Sequence, residues 1–285
     1  MNMKKWLVAT TLGFAVASAW ATPTPLSSLS GNMNIKMTGL TTTGVDDTAG
    51  SNEVTWGLGA ITSIQGTGGQ IWQAGSTDGK YLYYMLYGIA DQGPATPNGV
   101  GGFTLNNVGA TGGAADGFIH LDLYLSNSEI MSIDSNYNAN PNTRTGFNTD
   151  SLLSGLGPAY LQLEFAPGIN ISDSLATLVQ DLDTNEIITS GSGTFLANVV
   201  GGTDAAQWNS NAEAGGSDFF GKFTFVPNLA SGGEGVCTAA EAASNACFQE
   251  VSNDPILGEK VPEPGSLALF GLGLAGLAAM RRRKQ

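Results

Sequence analysis

Charge is scarce in this chain: only 12% of its 285 residues are Asp, Glu, Lys or Arg, about half the usual share for a soluble globular protein. Its polar surface must come from Thr, Ser, Asn and Gly instead. Histidine occurs once and cysteine twice. His120 is thus the sole imidazole base for a Ser or Cys nucleophile, and no GxSxG motif accompanies it. A His-based zinc site would have to combine His120 with carboxylates. No repeat of 20 to 50 residues is visible, which argues against a solenoid or propeller. Apolar runs long enough to span a bilayer comfortably are also missing. With 42% hydrophobic residues and a mean hydropathy of +0.03, the chain is neither disordered nor a multi-span membrane protein.

Basic residues are rarer still in the middle of the chain. Between residues 22 and 264 there are five (Lys36, Lys80, Arg144, Lys222 and Lys260) against all 24 acidic ones, a net charge of −19. Nucleic acid and anionic lipid are poor partners for such a surface, which has no cationic patch to exchange for counterions. Divalent cations suit it, and the charge also keeps an exported protein soluble.

What is present first shows at the ends. Residues 1–21 start with Lys4 and Lys5, continue apolar from Trp6 to Ala19, and close on Ala19-Trp20-Ala21. That is the pattern of a secretory signal peptide cut before Thr22, with Ala19 and Ala21 at −3 and −1. At the other end, Pro262-Glu263-Pro264 precedes an apolar stretch from Ser266 to Met280, followed by Arg281, Arg282, Arg283 and Lys284. As a helix the 15-residue stretch would be about 22 Å long, marginal against a hydrocarbon core about 30 Å thick. The basic cluster stays cytoplasmic, so the body lies across the membrane from it.

This tripartite tail resembles the PEP-CTERM sorting signal of Gram-negative bacteria. The resemblance implies cleavage near Pro262-Glu263-Pro264 by a membrane-embedded exosortase, after transient anchoring in the inner membrane. Signal peptidase and exosortase are the implied processing partners, and the cell surface or extracellular matrix the destination. Gly271-Leu272-Gly273-Leu274-Ala275-Gly276 satisfies GxGxxG inside this tail. It lacks the following acidic residue of a dinucleotide fingerprint, and its glycines read as small residues of a membrane helix. Three segments result: signal peptide 1–21, body 22–260 and sorting tail 261–285.

The body reads as strands. Phe118 to Leu125 alternates with period two, placing Ile119, Leu121, Leu123 and Leu125 on one face and His120, Asp122 and Tyr124 on a solvent-facing one. Tyr160 to Phe165 and Lys222 to Phe225 repeat the pattern. Lys80 to Ala90 is apolar on both faces and suggests a central strand. Residues 54–65, 69–74 and 194–200 add further strand-like runs. Many short strands with Gly- and Asn-rich turns predict a mainly β body, an antiparallel sandwich or jelly roll, between a signal helix and a C-terminal transmembrane helix. Leu175, Leu178, Val179 and Leu182 have helical spacing, but Asp183-Thr184-Asn185 reads as a turn, and a hairpin is preferred there.

Candidate sites are few. Cys237 and Cys247 lack CxxC spacing, and in an exported chain they are expected to form a disulfide, worth about 2.8 kcal/mol by loop-closure entropy. Asp181, Asp183 and Asn185 begin like an oxygen-ligand calcium loop, without the later Gly and Glu of an EF-hand; a plain polar turn is the alternative. Trp72 and Tyr83, with Trp56, Tyr81, Tyr84 and Tyr87, could stack on sugar rings or fill the core. No catalytic residue stands out, though a glycosidase needs only two carboxylates. The runs Gly193 to Gly202, Trp208 to Asn211, Gly216 to Phe220, Val54 to Gly57 and Ile61 to Ile64 resemble flocculation-associated PEP-CTERM proteins. That likeness implies a non-enzymatic surface or matrix protein associated with exopolysaccharide in a biofilm or floc. The alternative is a secreted carbohydrate-active enzyme.

Overall fold

Alternating side chains become strands almost throughout the computed structural model. It describes residues 24–42, 52–76, 78–113, 115–130, 135–140, 145–147, 153, 155–183, 190–228, 248–253, 256–261, 272 and 274. In chain order the strands are β1 Gly31–Thr42, β2 Thr55–Gly66, β3 Gly69–Gln73, β4 Tyr81–Asp91, β5 Thr96–Pro97, β6 Phe103–Gly109 and β7 His120–Ser126. They continue with β8 Ser135–Asn140, β9 Thr145–Phe147, β10 Leu161–Ala166, β11 Leu178–Leu182, β12 Gly191–Gly201, β13 Phe219–Asn228, β14 Phe248–Asn253 and β15 Ile256–Lys260. A one-turn helix, α1, covers Ala205–Trp208. Strands β8 and β9 pair with each other, and the remaining thirteen form one sheet.

That sheet returns on itself. Antiparallel neighbours run β1, β2, β4, β7, β10, β12, β13, and β13 reaches β1 again through β14 and β15. The last two share one strand position, because β15 pairs Gly31 to Ile35 of β1 while β14 pairs Thr38 to Thr42. The result is a closed, barrel-like circuit of eight strand positions. Between β4 and β12 the wall changes along its height. At one end β7 and β10 fill it; at the other β6 and β11 take over, β6 pairing Ile89 to Asp91 and β11 pairing Gly191 to Phe195.

The mainly antiparallel β content matches the sequence reading, and the single large sheet leaves the expected sandwich or jelly-roll layering unconfirmed. Period-two alternation reports one wet and one dry face, a property that sandwiches and barrels share. Closure is decided by which distant strands meet. Within the 175–182 segment Leu175 lies in a turn and Leu178–Leu182 is a strand, whose hairpin partner is β12 from Gly191 onward. Among the described residues no helix is long and apolar enough to cross a membrane. The signal helix and nearly all of the expected transmembrane helix lie outside the described residues.

One apolar cluster fills the circuit, with Met33, Ile35, Met37, Tyr84, Leu121, Leu163, Phe195 and Phe223 among its members. Glycine makes room for its rings. Gly59 faces Tyr84, Gly193 faces Phe223, Gly221 faces Phe195 and Gly258 faces Phe219 across adjacent strands. A Cβ built on any of these four would stand 2.1–2.4 Å from the opposing ring. The rings thus lie flat over bare backbone, which accounts for much of the glycine in these strands. Outside the wall, Trp56, Leu58 and Tyr83 pack beneath Leu153 with Ile130 and Leu156. Strand β4 is consequently dry on both faces, as its sequence suggests.

Candidate functional site

Two strand-end segments and a neighbouring hairpin build an acidic cleft of about 570 Å³ at the β6–β11 end. Asp181 is the penultimate residue of β11 and Asp183 lies just past its end; both are exposed and both border the cleft. They line the cleft with Ser190, Ser192 and Thr224. The Thr104 hydroxyl donates to Asp181 Oδ1 at 3.2 Å, and the Ser190 hydroxyl donates to Asp183 Oδ2. Asn98 also borders the cleft, but its side-chain oxygen already accepts from the N–H groups of Val100 and Gly102 at 3.0 and 3.1 Å. Two carboxylates with adjacent hydroxyls suit a hard, partly hydrated cation. Asn185 lies outside the described residues, and no group of three or more His, Cys, Asp or Glu converges among those described.

The proposed sugar platform needs correcting. Trp72 is 1% exposed and Tyr83 3%. Trp72 donates its indole N–H to Asp78 Oδ1 at 3.4 Å and belongs to the interior cluster. The Tyr83 hydroxyl accepts the Ile130 N–H at 2.6 Å, under the outer apolar cover. Neither ring offers a face to a saccharide, because both are core.

His120 also departs from expectation. It occupies the outer face of β7 but is only 8% exposed. Its ring stacks on Tyr87 with centroids 4.7 Å apart, and Nε2 lies 3.0 Å from Asp116 Oδ1. Burial pushes the Asp116 carboxyl up, yet the hydrogen bond and charge of His120 bring it below the usual carboxylate range. Beside the pair, the Tyr87 hydroxyl donates to Asp122 Oδ2 at 3.0 Å. The loop before β7 folds back and covers a face that alternation assigns to solvent.

Cys237 and Cys247, the cleavage positions Ala19, Ala21 and Thr22, and the sorting residues Pro262 to Pro264 and Arg281 to Lys284 lie outside the described residues. The body next to both expected processing junctions is hydrogen-bonded into the fold. Thr24 donates its N–H to the Ile71 carbonyl at 2.7 Å, and Val261 donates to the Gln207 carbonyl at 2.8 Å. Sequence reasoning missed Lys260, which is 0% exposed and ion-paired with Asp204 at 2.7 Å. A signal was there: Ile256, Gly258 and Lys260 share the inward phase of β15. It also missed Ser190, Ser192 and Thr224, which the β11–β12 pairing and the neighbouring β13 bring beside the acidic turn.

A closed antiparallel body that ends where an apolar, base-terminated tail begins defines the class: an exported protein with a removable C-terminal anchor. Residues 260–284 match the PEP-CTERM protein-sorting motif, so the chain carries that signal. The signal marks it as exosortase-targeted, held transiently in the membrane before release. No curated protein and no solved structure matches the chain.

Proposed function

We propose that the body is a non-enzymatic component of the extracellular matrix that associates with exopolysaccharide through divalent-ion bridges at the Asp181–Asp183 cleft. The carrying observation is the pairing of a sorting tail with an acidic body, residues 22–264 having net charge −19, whose cleft exposes two carboxylates. A like-charged polysaccharide is repelled by such a body unless a cation joins them. Calcium fits: it takes carboxylate and hydroxyl oxygens at loose geometry, and open extracellular sites bind it near 10⁻⁴–10⁻³ M. Burial of Trp72 and Tyr83 removes the stacking alternative at those rings. The role in biofilm or floc formation follows from the destination and from this bridging chemistry.

Co-sedimentation of purified mature protein with the producer's own exopolysaccharide tests the reading. Retention is expected in about 1 mM calcium and loss in excess chelator. Retention unaffected by chelator defeats the bridging. Release of short sugars during incubation, abolished by changing one carboxylate, would establish the carbohydrate-active enzyme instead.

A further inference from the structure

The two ends of the mature body meet at one side chain. Leu26, four residues beyond the expected signal cut, is gripped at both backbone polar groups. Its N–H donates to Asp78 Oδ2 at 2.9 Å, and its carbonyl accepts from Lys260 Nζ at 3.1 Å. The buried Lys260 ammonium also lies 2.7 Å from Asp204 Oδ2, 3.4 Å from the Tyr160 hydroxyl and 5.5 Å from the centre of the Trp208 ring. Asp204 is held in turn by the Trp208 indole N–H at 3.0 Å and by the Tyr160 hydroxyl. One residue further on, the Val261 N–H donates to the Gln207 carbonyl, and the match to the sorting motif begins at Lys260 itself.

We propose that this Lys260 lock sets the amino-terminal limit of exosortase processing by holding the chain inside the fold through Val261, so that only bonds beyond it can be cut. The proposal rests on the sorting reading. A protease must draw its substrate out as an extended strand. Extracting β15 would strip a fully buried ammonium from Asp204, leave a carboxylate with its partner gone and unzip β15 from β1 and β13. Val261 is the last residue of the body among the described residues. Only residues 262–265 separate the lock from the apolar stretch, a reach of at most about 14 Å when extended. The body therefore sits close against the membrane before release, and the cut falls in that short tether. A buried ion pair is a weak stabiliser compared with apolar packing but costly to break from one side, which suits a stop better than a glue.

Intact-mass measurement of body released by exosortase-competent cells tests the idea in four chains: wild type, Lys260→Ala, Asp204→Asn and Gly59→Ala. The third keeps side-chain size and an acceptor oxygen if Lys260→Ala leaves nothing to weigh. The fourth destabilises the body without touching the lock. Wild type and Gly59→Ala are expected to end beyond Val261, whereas a lock variant should add species ending within residues 256–261, at a tenth of the total or more. A wild-type end upstream of Val261, unchanged ends in both lock variants, or equal fraying in Gly59→Ala would overturn the lock alone. Wild-type protein still carrying Arg281 to Lys284 would overturn the sorting reading and the lock with it.

Discussion

Replacing Gly59 with Ala tests the ring-over-glycine packing on which the closed sheet depends. Gly59 lies on the inner face of β2, opposite Tyr84 of β4. A methyl there would stand 2.2 Å from Tyr84 Cε1 and 2.3 Å from the Thr38 carbonyl oxygen. Neither neighbour yields readily: Tyr84 is fully buried and the Thr38 oxygen is backbone. Overpacking of this kind costs about 1–3 kcal/mol, and a clash on two sides belongs in the upper half of that range. For a body of this size, about 2 kcal/mol corresponds to a fall of about 4–8 °C in Tm. Gly68, in the β2–β3 turn, is the control, since a Cβ there meets nothing within 4 Å and its backbone is ordinary. Gly68→Ala should leave Tm unchanged or raise it slightly by reducing unfolded-chain entropy. Scanning calorimetry of the two variants beside wild type decides the matter. Equal melting of Gly59→Ala and wild type would refute the packing account.

Three further outcomes are expected. Tyr84→Phe should stabilise the body by about 1 kcal/mol, because the buried Tyr84 hydroxyl has no hydrogen-bond partner among the described residues; a lower urea midpoint would contradict this. Burial pushes the Asp78 carboxyl up, but N–H donors from Leu26, Lys80 and Trp72 hold it below the usual carboxylate range. Its contribution should be complete above the unfolded pKa of about 3.9 and disappear as pH falls through the lower folded value. The Tm gap between wild type and Asp78→Ala should accordingly narrow in acid, and a gap constant from pH 6 to pH 2 would show that Asp78 acts without its charge. Non-reducing peptide mapping should find Cys237 joined to Cys247, with alkylation of both in the absence of reductant as the contrary result.

Much of the fold was legible where one face is wet. Strands β7, β10 and β13 announce themselves by alternation, and β4 by being apolar on both sides. Strand β1 carried the same signal, with Met33, Ile35 and Met37 alternating with Asn and Lys, and it was overlooked. Strand β6 is half-buried along most of its length and has no clean period to read. Closure was hidden because it depends on β14 and β15 meeting β1, contacts between the two ends of the body. The acidic turn at Asp181 and Asp183 was visible, but its hydroxyl neighbours come from other strands. Burial of His120 was invisible for a related reason: Asp116 and Tyr87 cover it from a loop and an adjacent strand.

The most direct test of the matrix role is a chelator wash of intact, matrix-covered producer cells, with the mature body quantified in the supernatant. Wild-type protein should stay with the cells in millimolar calcium and come off in chelator. The Asp181→Asn/Asp183→Asn variant should shed in calcium as well, since neutral amides hold calcium less tightly than carboxylates. A wild-type body that remains on the cells through the chelator wash, or a double variant retained as firmly as wild type, would contradict calcium bridging at this cleft.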